Sequence, residues 1–124
     1  MDNRTFATEV ARTILDRDDV DGDNLIAIIC SDNEFQQKAW VRLCRMKATR
    51  SELLQIVMHG KAAAEWAGLQ LIDREDCTKE DLALLAARLP ELRAVAWDRL
   101  LRQGVDTKTL EVILKQMLLA NILK

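Results

Sequence analysis

Apolar residues recur along the chain at helical spacing. The stretch Val105-Asp106-Thr107-Lys108-Thr109-Leu110-Glu111-Val112-Ile113-Leu114 sets out the pattern, and it occurs three more times upstream. The equivalent polar positions are Asp21, Thr49, Thr78 and Asp106, an internal period of about 28 residues. Four positions later stand Leu25, Leu53, Leu82 and Leu110, and seven positions later Ile28, Ile56, Leu85 and Ile113. Asp or Thr at such a position predicts a helix N-cap, accepting from an orphan backbone N–H of the first turn. Thr49/Glu52 fits a capping box strictly, and Thr78/Asp81 nearly so. Val20, Ala48, Cys77 and Val105, just before the caps, suit a hydrophobic staple to the leucine at the fourth helical position. The spacing then runs an apolar stripe down one helix face.

The chain between these starts also reads as helix. Phe6, Val10 and Ile14 predict a first helix over residues 4–17, and the repeat pattern predicts a second over 22–30. Ser31-Asp32-Asn33-Glu34 offers a capping box for a third helix over 32–47. A fourth starts at Thr49 and ends at Gly60, read as the residue after the cap; a fifth covers 61–74 and a sixth 78–88. Pro90 suits the first turn of a seventh, ending at Gly104, and an eighth follows Asp106. Ten residues before the caps lie Ala11, Ala39, Gly68 and Ala96, all small enough for a neighbouring helix to approach closely. Trp40 and Trp97 share a register position and read as core wedges. A two-helix repeat cannot bury its apolar face alone, so neighbours must stack. The expected fold is therefore all-α, an α-solenoid of four stacked hairpins. It forms a single domain over 1–124, with repeats of about 4–30, 31–60, 61–89 and 90–124.

Leu92-Arg93-Ala94-Val95-Ala96, followed by a short linker and the capped Asp106–Leu114 stretch, resembles the leucine-rich repeat variant, and more loosely HEAT and armadillo repeats. The resemblance implies a curved right-handed array of helices serving as a binding scaffold, and it implies no reaction.

Composition narrows the function classes. The net charge of −2 and the absence of Tyr argue against a general nucleic-acid binder. No apolar run approaches the length of a membrane span, and Met1-Asp2-Asn3-Arg4 leads into no signal-peptide core. Three widely spaced Cys read as free thiols in a reducing, cytoplasmic setting.

Candidate chemistry is sparse. Cys30, Cys44 and Cys77 lack close pairing, and His59 is the single histidine, so a zinc site is not expected. Placing Gly22 as the loop glycine of a calcium site puts Arg17 and Ile28 at the end positions, where oxygen ligands are required. His59 has no nucleophile tied to it, and no phosphate loop or nucleophile elbow is present. The reading is a non-catalytic protein with no cofactor.

Two surfaces remain. The second helices carry Ile26, Leu54, Met58 and Leu84 beside or opposite the main stripe. That face either packs between repeats or forms a groove for a partner protein. The apolar segment 117–124, with Leu119 and Ile122, offers a docking or homodimer surface on the last helix. The alternative is nucleic-acid binding through Lys38, Arg42, Arg45 and Arg50, with Arg88, Arg93, Arg99 and Arg102 as a second basic group.

Overall fold

A computed structural model describes residues 1–31 and 33–120. Among these the regular elements are eight α-helices and no strand: α1 (Asn3–Leu15), α2 (Gly22–Ile29), α3 (Gln36–Arg45), α4 (Arg50–His59), α5 (Ala62–Ile72), α6 (Lys79–Arg88), α7 (Pro90–Gln103) and α8 (Thr107–Leu119). No helix among the described residues is long and apolar enough to cross a membrane.

The four predicted caps form. Asp21, Thr49, Thr78 and Asp106 accept from the backbone N–H of Asn24, Glu52, Asp81 and Thr109. Both capping boxes close, because the carboxylates of Glu52 and Asp81 reach back to the cap N–H groups. The start of α3 differs from expectation. The Ser31 hydroxyl donates to Ala27 O at the end of α2, and Asn33 Oδ1 accepts from Phe35 N. With these groups engaged, α3 begins at Gln36, behind Phe35 and without a side-chain cap. Gly60 caps α4 in a right-handed conformation, and the left-handed residue is Lys61, one place later. Between α3 and α4 Lys47 is left-handed, and between α7 and α8 Gly104 has φ +93°.

The chain divides into two compact units, Met1–Ala63 and Ala64–Lys124. In the first, α2 packs against α3 and α4; in the second, α6 packs against α7 and α8. Leu25, Leu43 and Leu53 are fully buried in the first, and Leu71, Leu82 and Leu100 in the second. Ala11, Ala39, Gly68 and Ala96 are buried as their small size suggested.

The same side-chain bonds occur in both units, two repeat lengths apart in the sequence. Arg42 in α3 donates to Leu15 O (2.7 Å) and Arg17 O, and Arg99 in α7 donates to Ile72 O and to Asp73 Oδ1. Carbonyls at a helix C-terminus lack intrahelical partners and carry partial negative charge, which a guanidinium satisfies with two donors at once. Arg17 pairs with Asp19, and Arg74 with Asp76. Gln36 Nε2 donates to Ile29 O (2.6 Å), and Arg93 Nε donates to Ala86 O (2.7 Å). Apart from Asp73, which stands in the register of Asp16 rather than of Arg17, each second residue stands two repeats after the first, so the register of the sequence is also largely a register of contacts.

Candidate interaction surface

The repeat register makes the last helix anomalous. At the fourth helical position Leu25, Leu53 and Leu82 are at most 2% exposed, whereas Leu110 is 44% exposed. At the eighth, Ile29, Val57 and Ala86 are at most 4% exposed, whereas Leu114 is 54% exposed. Residue types suited to burial are thus kept in the fourth copy while the positions stand open. α8 turns Thr109, Val112, Ile113 and Gln116 inward, and Gln116 accepts from Arg88 of α6. Leu110, Leu114 and Leu118, at i, i+4 and i+8, form an exposed leucine stripe.

This surface lengthens because α8 outruns its counterpart. α4 stops at His59 and is capped by Gly60. The residue two repeats on from Gly60 is Met117, and the helix continues through Leu118 and Leu119, both exposed. Beside the stripe lies a groove of about 520 Å³. It is lined by Pro90, Ala94 and Trp97 of α7 and by Ile113 and Met117 of α8. Trp97 is partly open to solvent here, so it is not the core wedge its register suggested. Leu101, one turn on, is also exposed. Arg93 is the charged side chain at the groove. Contiguous apolar area with a charged border is the usual form of a protein-docking surface.

The residues predicted for partner binding are scattered. Ile26 and Leu84 are buried, Leu54 and Met58 half-buried, and Leu119 exposed. Ile122 lies outside the described residues. Ala83 and Ala87, which share the register of Ile26, Leu54 and Met58, are also buried. The open apolar surface therefore extends over α7 as well as α8. Spacing alone gave no sign of this, since Leu110 and Leu114 match their buried equivalents.

Lys38, Arg42 and Arg45 do come together, with Leu15, Asp18 and Val41, around a cleft of about 630 Å³. Arg50 stands apart in the first turn of α4. Within the cleft Arg42 is engaged by backbone carbonyls, and Asp18 offsets a positive charge. In the second basic group, Arg93 and Arg99 bond carbonyls, Arg88 bonds Gln116, and Arg102 pairs with Asp98. Apart from Arg102, whose pair lies within α7, these arginines stitch helices together more than they present a continuous cationic face.

His59 is exposed on α4. The three cysteines are half-buried, and burial pushes the Cys30 thiol up from its ordinary value. No group of three metal-ligating side chains occurs among the described residues. The sequence matches no protein-family model, no curated protein and no solved structure.

Proposed function

We propose that this protein is a non-catalytic interaction module, an α-solenoid of four helical hairpins that works in the cytoplasm and binds another protein through α7 and α8. The observation that carries the reading is the exposure of Leu110 and Leu114 at positions buried in the other three copies. A helix laid along the leucine stripe and the Trp97 groove would restore the environment that the repeat gives these side chains elsewhere. The mechanism is one of shape and apolar burial, with the exposed Lys115 at the border to set orientation.

Unfolding measurements test it directly. Leu110→Glu combined with Leu114→Glu should shift stability by no more than about 0.5 kcal/mol, as surface changes do. Leu53→Ala should lose about 2–5 kcal/mol, as buried truncations do. A loss of that size in the double variant would place the two leucines in the protein's own packing and end the reading.

The second reading is nucleic-acid binding in the manner of a HEAT-like domain. It draws support from the meeting of Lys38, Arg42 and Arg45 at one cleft. Binding to a duplex that falls steeply with salt, and is lost in Lys38→Ala with Arg45→Ala, would favour it. The engagement of Arg42 by carbonyls and the acidic Asp18 weigh against it.

A further inference from the structure

The two units differ at one matched site. Along the two-repeat register Lys38, Val41, Arg42 and Arg45 of α3 correspond to Val95, Asp98, Arg99 and Arg102 of α7. Arg42 and Arg99 keep the same role, each bonded to the last carbonyl of an earlier helix. Around them the charges are rearranged. In α7 Asp98 stands one turn before Arg102 and pairs with it at 3.1 Å. In α3 the place of that carboxylate is taken by Val41, and Lys38 adds a cation where α7 has Val95.

Lys38 and Arg45 are exposed, and neither has a side-chain partner among the described residues. One lies a turn before Val41 and the other a turn after it, so the helix brings both beside the valine. They line one cleft with Leu15, Asp18, Val41 and Arg42. The carbonyls that hold Arg42 satisfy its donors without cancelling its charge. Three cations thus meet one carboxylate, Asp18, at a site whose counterpart balances both arginines with carboxylates of the chain itself. Asp19, the next residue, is already engaged by Arg17 at 3.0 Å.

We propose that this cleft binds a single phosphate group carried by a small solute, with Lys38 and Arg45 as donors and Arg42 as a fixed neighbouring charge. The anion takes the place beside Val41 that the Asp98 carboxylate holds in the second unit. Two unpaired cations suit a doubly charged oxyanion better than a carboxylate, and both side chains are regular phosphate ligands. From Lys38 to Arg45 the cations span about 10 Å of one helix, and Arg50 stands apart. That accommodates one phosphate, whereas a nucleic-acid backbone draws on a longer row of cations. The site lies within the first unit and is independent of the α7–α8 surface.

Inorganic phosphate, titrated at constant ionic strength and slightly alkaline pH, tests this with backbone amide NMR as the readout. The expected result is saturable shifts over residues 15–18 and 38–45, with a millimolar dissociation constant, and none over 95–102. Lys38→Val combined with Val41→Asp gives the first unit the side chains of the second. It should weaken phosphate binding by about tenfold or more, as loss of a charge-assisted contact does. Arg45→Gln should do the same, and both variants should keep wild-type helicity by circular dichroism. Shifts that do not saturate, or that spread equally over both units, overturn the proposal and leave only general surface charge. Undiminished binding in either variant overturns it as well. A short DNA duplex that binds far more tightly than phosphate and extends the shifts to Arg50 overturns it in favour of the nucleic-acid reading.

Discussion

Arg42 and Arg99, two repeats apart, make the same connection: each guanidinium reaches from its helix to the last carbonyl of a helix 27 residues earlier, Leu15 O in one unit and Ile72 O in the other. A charge-assisted bond to a half-buried carbonyl contributes about 1.5–3 kcal/mol. Arg42→Ala and Arg99→Ala are each expected to lose stability in that range, read from urea unfolding. Arg→Lys should recover less than half of it, since an ammonium does not supply the two-pronged donor. Equal tolerance of lysine and arginine would show that charge, not geometry, is what matters there.

Lys47 and Gly104 also hold equivalent places, and both have positive φ. Glycine adopts that conformation freely; lysine carries a steric penalty of about 1 kcal/mol. Lys47→Gly should therefore raise stability by about 0.5–1 kcal/mol, with an unchanged denaturant slope. Gly104→Ala should lower it by about 1–3 kcal/mol through backbone strain alone, because a Cβ there meets nothing within 4 Å. If Lys47→Gly destabilises, the left-handed turn is held by the lysine side chain itself.

Gly68 lies in α5 against the leucines of the following helices. A Cβ on it would come within 2.9 Å of Leu92 Cδ1 and 3.3 Å of Leu85 Cδ2, and closer still to Leu89. Alanine gains about 1 kcal/mol of helix propensity, but overpacking a buried site costs about 1–3 kcal/mol. Gly68→Ala should come out slightly destabilised, and Gly68→Val heavily so. A stabilised Gly68→Ala would mean that the leucines yield without loss.

Acid should act on the helix caps. The backbone N–H of Thr109 holds the Asp106 carboxyl below its usual range, and the backbone N–H of Thr5 does the same for Asp2. A folded-state value below the unfolded one adds stability above the unfolded pKa and loses it as pH falls through the folded value. Wild type and Asp106→Asn, which keeps an acceptor but no charge, should differ most near neutral pH. Their melting temperatures should converge below about pH 4. Parallel curves would exclude Asp106 from the acid response.

The four repeat caps were legible in the sequence because a cap and its partner lie three residues apart and depend on nothing else; the Asp2 cap of α1 obeys the same rule but stands outside the repeat and was missed. The start of α3 was not legible. Ser31 to Glu34 satisfies the same local rule, but the Ser31 hydroxyl is held by Ala27 O and the Asn33 amide oxygen by Phe35 N–H. Leu110 and Leu114 repeat the pattern of buried residues faithfully, and whether such a stripe is covered depends on what lies across from it, which spacing does not encode. The basic groups were read as faces because the reach of an arginine does not show in its position. The recurrence of Arg17 with Asp19 and Arg42 as Arg74 with Asp76 and Arg99, each two repeats later, was available as the clue to their internal roles.

The side-chain bonds that tie separate helices together span short stretches of chain: 24 residues from Gln36 to Gly60, 27 from Arg42 to Leu15, and 28 from Arg88 to Gln116. Closing loops of this size has a modest entropic penalty, and chains built from such near neighbours reach their native state on the microsecond-to-millisecond scale. Each compact unit can thus be assembled soon after its last helix leaves the ribosome, before distant sequence has been made.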